Sequence, residues 1–134
     1  MKRAAAGLIG LVCVTSFGCK TASSRTLACL AVNSASFTNT VDGKADVGQA
    51  CIQIQPGNTD VKWEGGADVK RLFVTFKRNQ KTHPNDPVCS GASCFLEKME
   101  SKTEGDFGYT VIVVREDGSV EWVDPRLIIK PLVL

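Results

Sequence analysis

Six cysteines and a single histidine, His83, are the residues of this chain with the widest chemical repertoire. Thiolates and imidazoles are ligands of zinc and copper, and they also serve as nucleophiles and general bases. Four of the cysteines fall in the body of the chain, at Cys29, Cys51, Cys89 and Cys94. The oxidation state of these thiols therefore decides between a metal site, a reactive thiol and a pair of disulfides.

The first residues of the chain indicate the compartment in which those thiols fold. Lys2 and Arg3 precede an apolar run over residues 4–14, which is shorter than the roughly 20 residues that a transmembrane helix needs. Small residues follow and end in Gly18-Cys19. This is the layout of an export signal, with a charged segment, an apolar segment and a cleavage point. It resembles the signal of bacterial lipoproteins, in which a cysteine after a small residue is diacylated and becomes the mature N-terminus.

The resemblance to lipoproteins divides the chain into three parts. Residues 1–18 are the expected signal peptide, residues 19–26 the lipidated Cys19 with a short tether, and residues 27–134 a single domain. Ser16 and Phe17 depart from the family's pattern, which has Leu and a small residue there. Ordinary signal cleavage, which would give a soluble exported protein, is therefore the alternative.

The expected location is the cell envelope. Lys20 follows the cysteine, and by resemblance to enteric lipoproteins the lack of Asp there favours the outer membrane, facing the periplasm or the cell surface. The expected partners are a membrane surface, through the N-terminal lipid, and a protein or an envelope polymer. Lys2 and Arg3 account for the whole excess of 16 basic over 14 acidic residues. Because a nucleic-acid binder carries a basic excess, that class is not expected.

An even number of cysteines in a small exported domain indicates disulfides. Four thiols allow three pairings. Pairing Cys89 with Cys94 is favoured because the short loop between them closes at little entropic cost. Cys29 and Cys51 would then join the first strand to the second, and this larger loop would contribute about 3 kcal/mol in the chain-entropy model.

Alternation of apolar and polar residues predicts a domain made of short strands. The predicted strands are 27–32, 51–55, 61–64, 71–76, 109–115, 120–123 and 127–129. Residues 33–49 and 78–93 are predicted as loops, and residues 95–99 as a short strand or a helical turn. About seven or eight short strands separated by turn signals favour an all-β fold, an antiparallel β-sandwich.

The clearest element is a hairpin around Asp117-Gly118, the strongest short signal for a tight turn. A two-residue turn there would pair Val113 with Trp122 and Ile112 with Val123. Both pairs are apolar on both sides, so the register is self-consistent. The expected core anchors are Trp63, Phe76, Val113 and Trp122.

Three stretches of the chain from Cys51 onward carry a second resemblance. They are Ile52 and Ile54 before Pro56-Gly57, then Val61-x-Trp63, then Tyr109-x-Val111 with the ending Asp124-Pro125-x-x-Ile128-Ile129. These resemble the plastocyanin-like, or cupredoxin-like, β-sandwich, although an immunoglobulin-like sandwich would give nearly the same pattern. The cupredoxin resemblance suggests a copper site of two imidazoles, a thiolate and a weak axial ligand. Because His83 is the only imidazole, no metal and no cofactor are expected.

The remaining patterns do not point to catalysis. A zinc site from His83, Cys89 and Cys94 would have loose ligand spacing, and the two thiols are expected to pair with each other instead. The sequence contains no glycine-rich phosphate loop and no dinucleotide fingerprint, so an enzyme is not expected.

The sequence predicts a non-catalytic, surface-tethered β-sandwich that binds another macromolecule or serves the envelope structurally. The alternative is a degenerate cupredoxin-like domain that binds a metal or a small molecule. Binding residues concentrate on loops that a rigid scaffold carries, so the loop over residues 78–93 is the expected contact region. Its candidate binding residues are Arg78, Lys81, His83 and Asp86.

Overall fold

A computed structural model describes residues 29–131, so the expected signal peptide, Cys19 and the whole of the expected tether lie outside the described residues. Within them the strands are β1 Leu30–Ala31, β2 Ser36–Val41, β3 Cys51–Ile54, β4 Asp60–Gly65, β5 Val69–Phe76, β6 Val88–Ser90, β7 Ser93–Leu96, β8 Gly105–Arg115, β9 Val120–Val123 and β10 Arg126–Ile129. One 3-10 turn, Lys98–Glu100, follows β7. Residues 95–99, predicted as a strand or a helical turn, thus contain the end of β7 followed by the start of this turn.

The strands form two sheets that pack face to face. In sheet I, the long strand β8 pairs with β5 on one side and with β9 and then β10 on the other. Beyond β10 the sheet continues with β3 and ends with β1. Sheet II has the order β2-β4-β7-β6. The predicted all-β sandwich is confirmed. The sheets are mixed rather than purely antiparallel, because β1 and β10 run parallel to β3 and β2 runs parallel to β4.

The core lies between the inner faces of the two sheets. Trp63, Phe76 and Val113, three of the predicted core anchors, are at most 1% exposed. The Trp63 indole nitrogen donates a hydrogen bond to the Tyr109 hydroxyl at 3.2 Å, and the two rings meet edge to face. This contact links β4 of sheet II to β8 of sheet I, so it joins the two layers through the centre of the domain.

The prediction of a loop over residues 33–49 was wrong, since β2 occupies its middle. The outward positions of β2 are Ser and Thr, which gave the stretch its loop-like composition. The inward positions include Asn39, whose buried side-chain amide exchanges two hydrogen bonds with the backbone of Gln49, each of 2.9 Å. A polar residue at an inward position interrupted the apolar alternation from which strands are recognised. The loop over residues 78–93 likewise ends in β6.

The predicted hairpin is present, but its register differs by one residue. Trp122 pairs with Ile112, and Glu121 pairs with Val113. Gly118 has φ +88° and its N–H donates to the Arg115 carbonyl, so the loop has three residues and ends in a left-handed glycine. Shifting a strand by one residue moves its side chains to the opposite face. Trp122 is therefore 69% exposed, and its prediction as a core anchor was wrong.

Both disulfides that the spacing favoured are present. Cys29 and Cys51 join β3 to the residue before β1, with Cα atoms 4.7 Å apart. Cys89 and Cys94 join β6 to β7 across their hairpin, with Cα atoms 4.0 Å apart. Two disulfides in a small domain are compatible with an exported protein. In residues 29–131, no helix has the length and apolar character needed to cross a membrane.

Candidate binding surfaces

The loop between β5 and β6 brings together three of the four predicted binding residues. Asp86 forms an ion pair with Arg78, and a guanidinium nitrogen of Arg78 lies 3.4 Å from His83 Nε2. Lys81 is exposed and does not take part in these contacts. Pro84 and Pro87 are the buried residues of this loop. The predicted binding loop is thus a folded unit whose polar groups bond to one another.

Asp86 is the centre of this unit. One carboxylate oxygen accepts a hydrogen bond of 2.8 Å from the Phe76 backbone N–H, and the other accepts one of 3.2 Å from the Thr75 hydroxyl. Partial burial by itself raises the pKa of Asp86, but the hydrogen bonds from Phe76 and Arg78 and the charge of Arg78 outweigh it and lower that pKa below its ordinary value. Ionised Asp86 therefore fastens the loop to the end of β5.

Both ring nitrogens of His83 are engaged within the loop. Nδ1 lies 2.7 Å from the Pro84 carbonyl oxygen, which can only accept, so Nδ1 carries the proton and donates. Nε2 is then the acceptor that faces the Arg78 guanidinium. The ring also stacks on Phe76, with centroids 6.4 Å apart. His83 thus holds the loop against the sandwich through contacts with Pro84, Arg78 and Phe76.

A groove lies beside this loop on the outer face of sheet II. We call it the Val88 groove; its lining residues are Asn85, Asp86, Val88, Phe95, Leu96, Glu97 and Glu100. Val88 is 77% exposed and pairs across the β6–β7 hairpin with Phe95, which is also exposed. The groove has a volume of about 430 Å³, an apolar floor and a rim that carries three carboxylates. Of the four predicted binding residues only Asp86 lines this groove, although Asn85 and Val88 also belong to the loop over residues 78–93 that was expected to make contacts.

A second exposed apolar surface covers part of the outer face of sheet I. We call it the Trp122 patch; it consists of Phe73, Ile112, Val114, Val120 and Trp122. Phe73, Ile112 and Trp122 are neighbours in register across β5, β8 and β9. Val114 and Val120 form the adjacent row, which begins with Arg71. Directly opposite residues on one face have Cβ atoms about 4.5–5.5 Å apart, so these side chains form a continuous surface.

Sequence analysis missed the Trp122 patch, although one signal for it was available. Phe73 is out of phase with Leu72, Val74 and Phe76, the apolar residues that β5 directs inward. An aromatic residue at an outward position is a large apolar group left in water. The patch itself could not be assembled from such a signal, because it depends on which outward residues of three strands fall into register.

The structure also shows the state of the residues considered as metal ligands. Cys89 and Cys94 are bonded to each other, so neither supplies a thiolate. Met99, which follows Cys94 along the chain as an axial ligand would follow a thiolate, lies in the 3-10 turn with its side chain exposed. Among the residues that the structure describes, no group of three or more His, Cys, Asp or Glu side chains is placed to hold a metal ion.

Comparisons with known proteins add no family to this description. No protein-family model, curated protein or solved structure matches the chain. Among the described residues, the Val88 groove and the Trp122 patch each bring together two or more of the large exposed apolar side chains.

Proposed function

We propose that this chain is an exported, lipid-anchored and non-catalytic β-sandwich that acts as a binding or structural module of the cell envelope. The lipid on Cys19 holds the domain at a membrane, most simply the outer membrane. The folded domain then presents its surfaces to a protein or a polymer of the envelope. It is not a nucleic-acid binder and needs no cofactor.

The observation that carries the binding role is the Val88 groove. Val88 and Phe95 expose apolar surface at the edge of sheet II, while the Glu97 and Glu100 carboxylates line the rim. An apolar floor with a few polar groups around it is the usual chemistry of a binding site. The neighbouring loop is fixed by Asp86 and by the disulfide between Cys89 and Cys94, so the groove is preformed and costs little ordering on binding.

The export and anchoring part of the proposal is tested by intact mass. Native protein purified from the source bacterium should begin at Cys19 and carry the mass of two or three acyl chains. Comparison of alkylated samples with and without reductant should report two disulfides, as the geometry of both pairs implies. A mature chain that begins elsewhere without an acyl group would contradict the anchor, and four free thiols would contradict the oxidised domain.

The binding part is tested in living cells by photo-cross-linking. A photoreactive amino acid at Val88, which is exposed at the groove, should give a discrete adduct if the partner is a protein and a broad smear if it is a polymer. The matched control places the same amino acid at Thr38, an outward position of β2 in the same sheet. Adducts at neither position, or equally at both, would contradict a partner site at the groove.

A small-molecule ligand is the second candidate for the same groove, in line with the degenerate cupredoxin-like alternative. Its volume of about 430 Å³ falls within the range of small-molecule sites. Native mass spectrometry of the protein purified without denaturation should then show an additional mass that is lost on unfolding. The variant Phe95→Asp should lose that mass while keeping both disulfides, and a bare protein mass in the wild type would contradict this candidate.

A further inference from the structure

We propose that the outer face of sheet I rests on the lipid bilayer, with Phe73 and Trp122 in the headgroup region. Two features that are far apart in the sequence lie together on that face. One is the Trp122 patch, and the other is the disulfide at which the tether enters the domain. The inference rests on the proposed lipid anchor and extends it by naming the surface that the anchor brings to the membrane.

The tether joins the domain on the same face as the patch. Ile52 and Ile54 of β3 point into the core, so Cys51, which alternates with them, lies on the outer face of sheet I. Cys51 is bonded to Cys29, the first described residue after the tether. The disulfide thereby ties the start of the described chain, at the β1 edge of sheet I, to a side chain on the outer face of that sheet.

The distances allow the anchor and the patch to contact one membrane. Cys51 on β3 is in register with Arg126 on the neighbouring strand β10. Strands β9 and β10 lie end to end along β8, where Trp122 pairs with Ile112 and Arg126 with Gly108, four residues away. A spacing of about 4.8 Å between strands and about 3.3 Å per residue puts Cys51 roughly 15 Å from Trp122. The nine residues from Lys20 to Ala28 span at most about 30 Å, so the lipid on Cys19 can insert directly beneath this face.

The chemistry of the patch suits the boundary between headgroups and acyl chains. Trp is enriched there because its ring is apolar while its indole N–H can bond to water or headgroups. The Trp122 patch supplies this residue together with Phe73 and three aliphatic side chains on one face of the sheet. The acyl chains on Cys19 already hold the protein at the membrane. The patch adds an apolar contact that sets which face of the domain lies against it.

The charges distinguish this face from the opposite one. On the outer face of sheet I, Lys77 pairs with Asp124 at 3.1 Å, Arg126 pairs with Asp106, and Arg71 beside the patch adds one positive charge. On the outer face of sheet II, Lys62 beside Phe95 pairs with Glu64 at 3.7 Å, and the Glu97 and Glu100 carboxylates lie at the rim of the Val88 groove. An anionic membrane surface attracts the first face and repels the second. The groove then faces away from the membrane, where a partner can reach it.

The experiment uses the lipidated protein in vesicles of phosphatidylethanolamine and phosphatidylglycerol, after intact mass has established the acyl group on Cys19. Trp122 reports contact through collisional quenching by iodide from the water and by brominated phosphatidylglycerol from the bilayer. Trp63 is buried and serves as the internal reference. The double variant Trp122→Phe/Phe95→Trp moves the exposed reporter to the outer face of sheet II and is the matched control.

We expect the emission of Trp122 to shift to the blue, its quenching by iodide to fall several-fold relative to detergent, and brominated lipid to quench it. The reporter at position 95 should remain open to iodide and insensitive to brominated lipid. If Trp122 stays open to iodide in vesicles, the inference is overturned while the anchor stands. Shielding from iodide without quenching by brominated lipid would mean that a second copy or another protein covers the patch, which also overturns it. Equal quenching of both reporters by lipid would exclude a preferred face, and a protein without the acyl mass would overturn the anchor and this inference together.

Discussion

The two tryptophans of this chain mark two regions with opposite surroundings. Trp63 on β4 is fully buried, bonds to the Tyr109 hydroxyl and links the two sheets. Trp122 on β9 is mostly exposed and shares the outer face of sheet I with Phe73 and Ile112. Both lie in strands with apolar residues two positions apart, so local sequence does not separate them. The difference teaches that burial here is decided by register and by the neighbouring strand.

The first region is a specified interior. Trp63 packs edge to face with Tyr109, and Tyr109 in turn lies 6.0 Å from the ring of Phe76. Each ring is fixed by a partner on a different strand. The second region lacks such partners on one side, because the outer face of sheet I has no further layer among the described residues. A fold that leaves a tryptophan on a bare sheet face offers that face for contact with something else.

The largest effect is expected from truncating the buried tryptophan. Trp63→Ala removes a fully buried ring and its hydrogen bond to the Tyr109 hydroxyl, so the free energy of unfolding should fall by about 3–5 kcal/mol. Denaturant unfolding followed by far-UV circular dichroism, with the disulfides intact, measures this loss. Trp122→Ala is the control and should stay within about 0.5 kcal/mol of the wild type. Equal losses in the two variants would contradict the contrast between the regions.

The next largest effect concerns Tyr109 and alkaline pH. Burial raises the pKa of Tyr109 from 10.0 to about 12 in the folded protein, against the opposing hydrogen bond from Trp63. Above pH 10 the unfolded chain therefore releases this proton while the native state keeps it. Stability from this group is complete below pH 10 and is lost as the pH rises through 12. Over two pH units the loss is about 2–3 kcal/mol.

The matched variant for this prediction is Tyr109→Phe. It keeps the ring in the core and removes the titrating group, so the part of the alkaline destabilisation that is due to Tyr109 should disappear. Unfolding free energies of both proteins at pH 8, 10, 11 and 12 give the comparison. Parallel pH profiles would show that Tyr109 is not the group responsible. An ultraviolet titration of tyrosinate follows the same ionisation directly, since Tyr109 is the only tyrosine of the chain.

Sequence reasoning predicted the parts of the fold that local alternation determines. Strands β3, β4 and β5 follow from period-two patterns, and the burial of Trp63 and Phe76 follows from their phase within those strands. It failed for β2, where Asn39 occupies an inward position and is satisfied by the backbone of Gln49, ten residues away. It also failed to predict that three strand pairs of the described domain are parallel, because parallel partners come from distant parts of the chain.

A smaller effect is expected at Gly118, the residue that sets the register of Trp122. Its φ of +88° is left-handed, and a Cβ there would meet no atom within 4 Å. The cost of Gly118→Ala is therefore conformational, about 1 kcal/mol, and Gly118→Asn should cost less because Asn tolerates this conformation better. Gly66→Ala is the matched control, since its φ is not left-handed and its Cβ would lie 3.7 Å from the nearest atom. If the Gly118→Ala variant unfolded at the same temperature as the wild type, the left-handed turn would be contradicted.

The hairpin also explains why the candidate membrane face could not be predicted. Asp117-Gly118 is compatible with a two-residue turn that needs φ above zero at both positions. In the structure Asp117 keeps a negative φ and its carboxylate accepts hydrogen bonds from the backbone and the hydroxyl of Ser119, which lowers the pKa of Asp117. The loop gains one residue, and every outward position of β9 changes with it. The observed turn is accompanied by side-chain hydrogen bonds that the apolar pattern does not reveal.

The smallest effect on stability is expected for Trp122→Phe, which should nevertheless change the tryptophan fluorescence strongly. In the absence of membranes, Trp122→Phe should leave the free energy of unfolding within about 0.5 kcal/mol, because the ring is largely in water. The same change should remove almost all iodide-quenchable tryptophan emission, leaving the blue-shifted emission of buried Trp63. Trp63→Phe should do the reverse, with a red-shifted and fully quenchable spectrum and a clear loss of stability. If iodide quenched Trp122→Phe as strongly as the wild type, Trp122 would not be the exposed tryptophan. The two-residue turn, with its inward Trp122, would then replace the register that creates the patch.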